Sequence, residues 1–342
     1  EDGVHLEQSF GYLPLVWDLL LLASLAAAAA GTRLLSAAHD RMRASLEFAR
    51  LVRLPGGGWP RVGDEDHGHV LYGGDTASRL DLVGNALAAH LGADALGAGA
   101  DGLARLLCGA AREARQAADG ARVFGGYTVW RARGLVVTFD HGPLGLAPLA
   151  AHGHADALAV TVHRGDDAIV TDPGTFAYHA DRESRDRCRS TPAHATLSFG
   201  GRSQARMRGP FLWEGMPRVR AVGDGRVEGA WWECRWASGE RHRRRVSVEA
   251  GAVTLEDRVM RGSNAALSFP LAPGAQVTLE GTRARVRIGG SVAVFESEGL
   301  EPWRVESAEV APRYGVRVAA PRLAAALAGD TCRTIITIGA TS

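Results

Sequence analysis

The sequence predicts an α+β chain of two domains, a helical layer over residues 1–120 followed by a large antiparallel β-sandwich over residues 121–342. Apolar residues recur at helical spacing in the first part, where no segment alternates as a strand does. After about residue 121 the sequence changes to short β-branched runs that Gly, Asp and Pro separate. A length of 342 residues and a hydrophobic share of 46% are sufficient for two buried cores.

Four helices are expected in the first domain. The first stops at Gly31 and the second ends before the helix-breaking Pro55. The first is apolar enough to raise the question of a membrane span, but Pro14 and Asp18 interrupt it and no basic flank precedes it. We therefore expect a buried helix and no membrane insertion. The predicted helices cover residues 13–30, 34–54, 75–92 and 101–118.

The second domain contains many short runs with the alternation of strands. Turn residues separate these runs at regular intervals, which is typical of an antiparallel sandwich, and we find no internal repeat. The clearest runs cover residues 127–131, 135–139, 158–163 and 333–338.

Composition excludes several classes of function. The formal net charge is +1, so no overall field favours nucleic acid or a membrane surface. All 39 basic residues are Arg, whose planar fork suits carboxylate and sulfate groups. The four Cys residues are scattered without a CxxC pair, so neither a zinc knuckle nor a disulfide framework is indicated.

Histidine and aspartate residues cluster in one part of the second domain. His152 and His154 lie two apart and would project to the same face of an extended chain. Asp172 ends an apolar run before a Pro-Gly turn, and His194 follows in the next loop. Two His and one Asp suit a zinc-like ion with an open position. An accidental HxH pair, with His163 and His179 as competing ligands, remains the alternative.

Four strings in order, HGHADAL, VTDPGTFAY, RSTPAHAT and SQARMRGPF, resemble the C-terminal signature of the heparinase II/III family of polysaccharide lyases. The resemblance implies that His152, the first His of HxH, is catalytic. It also implies a zinc ion, of structural or substrate-organising role, held by His154, Asp172 and His194. Ala195 stands where the family usually has Asn, a departure that removes no ligand.

The first twelve residues, EDGVHLEQSFGY, resemble a family string from a helical toroid whose Tyr is catalytic. The resemblance therefore implies that residues 1–120 are the C-terminal part of an (α/α) toroid, with Tyr12 catalytic and Glu7 and Ser9 lining the cleft. The Pro60–Gly68 loop, whose second part runs from Gly63 to Gly68, also resembles a family loop, and we interpret it as a structural turn. Further substrate-binding residues are expected at Tyr178, Arg185 and Arg189.

The implied reaction is β-elimination from a uronic acid in an anionic polysaccharide, with Tyr12 and His152 as base and acid in an order that the sequence leaves open. A uronate epimerase on the same fold, an inactive glycan-binding protein, and a metallohydrolase with Asp156 as its base remain alternatives. The sequence starts without Met, so we expect a fragment lacking the upstream group that neutralises the substrate carboxylate, and hence nearly inactive alone. The resemblance suggests a periplasmic or secreted protein.

Overall fold

The computed structural model describes residues 2–66, 68–71, 76–97, 107–109, 111–223, 229–249 and 251–340. Three of the four predicted helices are observed before the sheets begin: α1 (Leu13–Ala29), α2 (Ser36–Val52) and α3 (Thr76–Leu91). None of the helices in the described part of the chain has the length and apolarity that a membrane crossing requires.

The fourth predicted helix, over residues 101–118, is only partly within the described residues. Residues 111–118 are not helical, so this part of the prediction is wrong. Arg112 instead forms an isolated parallel bridge with Asp94. The carbonyl oxygen of Arg115 accepts a hydrogen bond from the buried Arg50 guanidinium at 2.7 Å. Backbone groups that would close a helix are therefore bound to the preceding segment.

The sheets begin at residue 120, and every strand pair within them is antiparallel in the described residues. The first strands are β1 (Gly120–Phe124), β2 (Tyr127–Ala132), β3 (Leu135–Asp140), β4 (Val160–Arg164) and β5 (Asp167–Val170), followed by a short helix, α4 (Arg182–Cys188). The next are β6 (Leu197–Phe199), β7 (Arg206–Gly209), β8 (Leu212–Glu214), β9 (Arg218–Val222), β10 (Trp231–Arg235), β11 (Arg241–Glu249) and β12 (Ala252–Arg261). The last are β13 (Ala265–Pro270), β14 (Gln276–Glu280), β15 (Arg283–Ile288), β16 (Ser291–Glu298), β17 (Arg304–Arg313), β18 (Val316–Ala326) and β19 (Thr331–Ala340).

Three larger sheets share one apolar core. Strands β1 to β5 form a five-stranded sheet in sequence order, and an eight-stranded sheet has the order β14-β15-β16-β19-β12-β11-β10-β9. A four-stranded sheet, β17-β18-β13-β6, completes the core, while β7 and β8 form a separate hairpin. Phe139, Phe199, Leu255, Phe269 and Phe295, from all three sheets, are buried together in one cluster. This is the antiparallel sandwich that the alternating runs predict.

The five-stranded sheet also joins the sandwich to the helices. Tyr127 and Val129 of β2 pack into the helical core, where the Tyr127 ring lies 5.0 Å from that of Phe10. Trp130 of β2 and Val137 of β3 instead belong to the sandwich core. Because successive residues of a strand face opposite sides, β2 is buried on both faces. The loops of this sheet therefore lie where the helices and the sandwich meet.

Candidate functional site

The three predicted metal ligands come together in one buried cluster, which we call the HDH cluster (His154, Asp172 and His194). One ligand atom from each of the three lies within 4.8 Å of those of the other two. His154 Nδ1 lies 3.2 Å from His194 Nε2, and His194 Nε2 lies 3.7 Å from Asp172 Oδ2. The loops after β3, after β5 and after α4 thus meet at one point, although the ligands lie up to 40 residues apart.

Hydrogen bonds outside the cluster orient both imidazole rings. Nδ1 of His194 donates to the Ser190 carbonyl oxygen at 2.8 Å, and Nε2 of His154 donates to Asp64 Oδ1 at 3.0 Å. Burial lowers the pKa of both histidines, so each is neutral. The remaining nitrogens then present lone pairs to each other at 3.2 Å. Two facing lone pairs repel, and a shared cation relieves that repulsion.

Asp172 supplies the oxygen of the cluster. It is buried, and its Oδ1 accepts a hydrogen bond from the Gly174 backbone N–H at 3.0 Å. Burial raises the pKa of Asp172 well above its ordinary value, and the charge of Asp156 adds to the rise. No Arg of the described chain forms an ion pair with this carboxylate. Two neutral imidazoles and a desolvated carboxylate are the donor set of a zinc site with an open position.

The glycine of HGH is required by the packing of this loop. A Cβ atom on Gly153 would overlap the carbonyl oxygen of Leu144. The Gly153 carbonyl also accepts a hydrogen bond from the buried Trp213 indole at 3.0 Å. The close approach fixes the backbone between His152 and His154, whose rings both contact the Asp64 carboxylate.

Asp64 connects the HDH cluster to the rest of the site, a role that no pattern in the sequence predicts. Its carboxylate is fully buried and forms a bidentate ion pair with Arg185. It also accepts from His152 Nδ1 at 3.3 Å, from His154 Nε2 at 3.0 Å and from Thr175 Oγ1 at 3.1 Å. Burial alone would raise the pKa of Asp64, but these bonds and the charge of Arg185 hold it below its ordinary value.

Interpreting the Gly63–Gly68 loop as only a structural turn is therefore incomplete. The Asp-rich motif was visible in the sequence, and it was the only available signal for Asp64. Its partners lie 88 to 121 residues further along the chain, so no local pattern connects them.

Tyr12 and His152 face each other at the edge of this network. Their ring centroids are 4.3 Å apart. The Tyr12 hydroxyl lies 2.8 Å from Asp66 Oδ2 and 2.6 Å from the hydroxyl of Tyr178. His152 Nε2 lies 3.9 Å from Glu7 Oε2. With side-chain exposures of 22% and 32%, His152 and Glu7 remain accessible to a ligand.

Three of the predicted substrate-binding residues have other partners. Arg189 is buried against the carbonyl oxygens of Gly209 and Pro210, and its guanidinium lies 4.7 Å from the Trp213 ring. Arg185 is equally buried and bound to Asp64. Ser9 is buried and donates to the Asp64 carbonyl. Arg185 and Ser9 are thus bound within the protein, while Arg189 Nε has no hydrogen-bond partner among the described residues. The substrate contacts expected of these three residues remain predictions.

The comparisons with known proteins agree with this architecture. A family model described as heparinase II/III-like, C-terminal, matches residues 115–337. The sequence matches no curated protein. A crystal structure of heparinase III is similar, with a TM-score of 0.75 and 16% identity over 100% of this chain and 55% of that one. A second heparinase III structure has a TM-score of 0.71 and 15% identity over 100% of this chain and 53% of that one.

Heparan sulfate lyase HepC from Pedobacter heparinus is also similar, with a TM-score of 0.73 and 14% identity over 99% of this chain and 53% of that one. The chain therefore spans about half the length of these structures, and at such identities the likeness establishes the fold alone. The family model, in contrast, covers well over half of the chain. The protein accordingly belongs to the heparinase II/III-like family.

Proposed function

We propose that the protein acts as a polysaccharide lyase that cleaves an anionic, uronic-acid-containing polysaccharide by β-elimination. The observation that carries the proposal is the contact between the Tyr12 ring and the partly exposed imidazole of His152, 4.3 Å between ring centroids. Membership of the heparinase II/III-like family supports the same reaction class. We further propose that α1 to α3 are the C-terminal part of an (α/α) toroid.

The two side chains match the two proton transfers of an elimination. One group removes the proton from carbon 5 of the uronate, and the other protonates the glycosidic oxygen that leaves carbon 4. A tyrosine hydroxyl and an imidazole can each do either. Glu7, 3.9 Å from His152, would border the sugar. Tyr178 would contribute through its hydrogen bond to Tyr12.

The reaction is tested by a product that absorbs ultraviolet light. Elimination leaves a double bond between carbons 4 and 5, conjugated with the carboxylate. The full-length polypeptide that contains these 342 residues should therefore give rising absorbance with at least one polymer among heparan-like, chondroitin-like, alginate-like and capsular uronates. Exchange of the carbon 5 proton with solvent, without absorbance, would instead indicate an epimerase. Binding without either reaction would indicate a glycan-binding protein.

We also propose that His154, Asp172 and His194 hold one zinc ion. Bound there, zinc would satisfy the two facing lone pairs and the buried carboxylate, and so fasten three loops beneath His152. Its role is to organise these loops, while the protons are moved by Tyr12 and His152. A polysaccharide substrate is consistent with a periplasmic or secreted protein, which we retain as part of the proposal.

Removal of the metal should destabilise the protein measurably. Zinc at a thousandfold excess over its dissociation constant stabilises a folded protein by about 4 kcal/mol. A chelator should therefore lower Tm by roughly 5 °C for a chain of this size. Metal analysis should give one zinc per wild-type chain, and His194→Ala should reduce that ratio. His179→Ala, at an exposed histidine, is the matched control and should change neither value. A wild-type protein that binds no zinc would contradict the proposal.

A further inference from the structure

The hydroxyl of Tyr12 is the middle member of a hydrogen-bonded series that the proposed reaction has not yet used. Tyr12 Oη lies 2.8 Å from Asp66 Oδ2 on one side and 2.6 Å from the Tyr178 hydroxyl on the other. The second carboxylate oxygen of Asp66 accepts from the backbone N–H of Gly68 at 2.6 Å. We call the series Tyr178–Tyr12–Asp66 the phenol–carboxylate chain.

The chemistry of its members fixes the direction of these hydrogen bonds. A carboxylate can only accept, so the proton of Tyr12 lies toward Asp66. The Tyr12 oxygen then accepts the proton of Tyr178. One acceptor position of the Tyr12 oxygen remains for the substrate proton.

Burial makes an ionised Tyr12 unfavourable. It raises the pKa of Tyr12 well above its ordinary value, and the adjacent Asp66 carboxylate adds to the rise although the hydrogen bond from Tyr178 opposes it. At neutral pH the phenol therefore keeps its proton. A mechanism in which Tyr12 is first converted to phenolate and then removes the carbon 5 proton would begin from a scarce species.

Resting on the proposed lyase function, we propose that Asp66 is the final proton acceptor and acts through Tyr12. The Tyr12 oxygen forms a bond to the carbon 5 proton while its own phenolic proton moves to Asp66 Oδ2. The electron pair of the broken carbon–hydrogen bond forms the new double bond, and the bond between carbon 4 and the glycosidic oxygen breaks. His152, protonated at Nε2, gives that proton to the leaving oxygen. One carboxylate gains a proton and one imidazolium loses one, so charge and protons balance.

The local packing holds Asp66 in place for this transfer. Gly11 lets the loop approach Tyr12, because a Cβ atom there would lie 2.6 Å from Glu65 Cβ and 3.0 Å from the Asp64 carbonyl oxygen. Glu65 is in turn held by an ion pair with Arg61. These contacts place the acceptor carboxylate beside the start of α1.

His152 is oriented for the complementary role. Its Nδ1 faces Asp64 at 3.3 Å, which leaves Nε2 on the accessible side, 3.9 Å from Glu7. Nε2 is therefore the nitrogen that can meet the leaving oxygen of a bound sugar. The arrangement thus assigns His152 as the acid and Tyr12, with Asp66 behind it, as the base.

The test compares substitutions at Asp66 in the full-length polypeptide. Asp66→Asn keeps the shape and can still hydrogen-bond to Gly68 and Tyr12, but an amide cannot take up the proton. We expect kcat to fall by on the order of a hundredfold to ten-thousandfold, with KM close to the wild-type value. Asp66→Glu should restore part of kcat. Asp40→Asn, at an exposed carboxylate of α2, is the matched control and should keep wild-type kcat.

Isotope effects on the rate of elimination distinguish proton transfer to Asp66 from a purely structural role of Asp66. A substrate deuterated at carbon 5 makes proton abstraction limit the rate, and the hydrogen on carbon does not exchange with solvent. The phenolic proton does exchange, so D2O should slow the wild-type abstraction further. The proton that His152 donates exchanges as well, so a proton inventory in H2O–D2O mixtures should require two transferred protons. A preformed phenolate would leave only the proton of His152.

The results distinguish failure of the Asp66 relay from failure of the proposed lyase function. Wild-type kcat in Asp66→Asn, or a proton inventory with the deuterated substrate that requires only one transferred proton, would overturn the relay and leave the lyase function intact. Absence of any elimination by the wild-type protein would overturn the lyase function and the relay with it.

Discussion

Tyr12→Phe should nearly abolish elimination while the protein stays folded and binds glycan. The phenyl ring keeps its place in the core and its contact with His152, 4.3 Å between ring centroids. Only the hydroxyl is lost, and with it the hydrogen bonds to Asp66 and Tyr178. Loss of a proton-transfer group typically costs on the order of a hundredfold to ten-thousandfold in rate. Initial rates of absorbance at saturating polymer give kcat, and calorimetric titration gives glycan affinity.

Tyr127→Phe is the matched control for this substitution. Tyr127 is also buried, and its hydroxyl has no hydrogen-bond partner among the described residues. Removing that hydroxyl should therefore leave the rate unchanged and stability equal or slightly higher. Equal turnover by wild-type protein and Tyr12→Phe would remove Tyr12 from the mechanism.

Arg185→Met should produce the largest loss of stability among substitutions near the site. The guanidinium forms a bidentate pair with Asp64, and both side chains are fully buried. It also donates to the Pro210 carbonyl at 2.7 Å. Breaking a buried pair by removing one partner leaves an uncompensated charge, which typically costs about 3–5 kcal/mol. Urea unfolding of both proteins measures the change in the free energy of unfolding.

Two further variants separate the ion pair from general effects of losing an arginine. Arg182 lies one turn earlier on α4, and its side chain is 82% exposed, so Arg182→Met should change stability by less than about 1 kcal/mol. Adding Asp64→Asn to Arg185→Met removes the stranded charge and should recover part of the loss. If Arg185→Met is as stable as Arg182→Met, the pair is not a structural element of the site.

The sequence predicted the site best where short motifs contain the ligand residues. The HGH string, the DPGT turn and the RSTPAH string pointed to three residues whose ligand atoms the fold places within 4.8 Å of one another. These residues lie in loops that follow β3, β5 and α4, and the fold brings the three loops together. The metal itself and the roles of Tyr12 and His152 remain proposals.

The sequence does not show which charged side chains are buried. Arg185 and Arg189 lie beside the RSTPAHAT string, and both are buried. The sequence around an arginine does not show whether its guanidinium contacts solvent or a buried carboxylate. Asp64 illustrates the same limit, because its importance comes from Arg185, His152 and His154, all distant in the chain. Local periodicity predicts a helix over residues 111–118. The backbone groups of Arg112 and Arg115 instead form hydrogen bonds with Ala93 and Ala95.

The burial of β2 on both faces has a consequence for how such proteins can diversify. Tyr127 and Val129 complement the helices, while Trp130 complements the sandwich, so the sheet belongs to two cores at once. A recombination event that joined this sandwich to an unrelated partner would leave a row of apolar side chains uncovered. The helices and the sandwich are therefore expected to be inherited together, and new specificities to arise by changes in the loops between them.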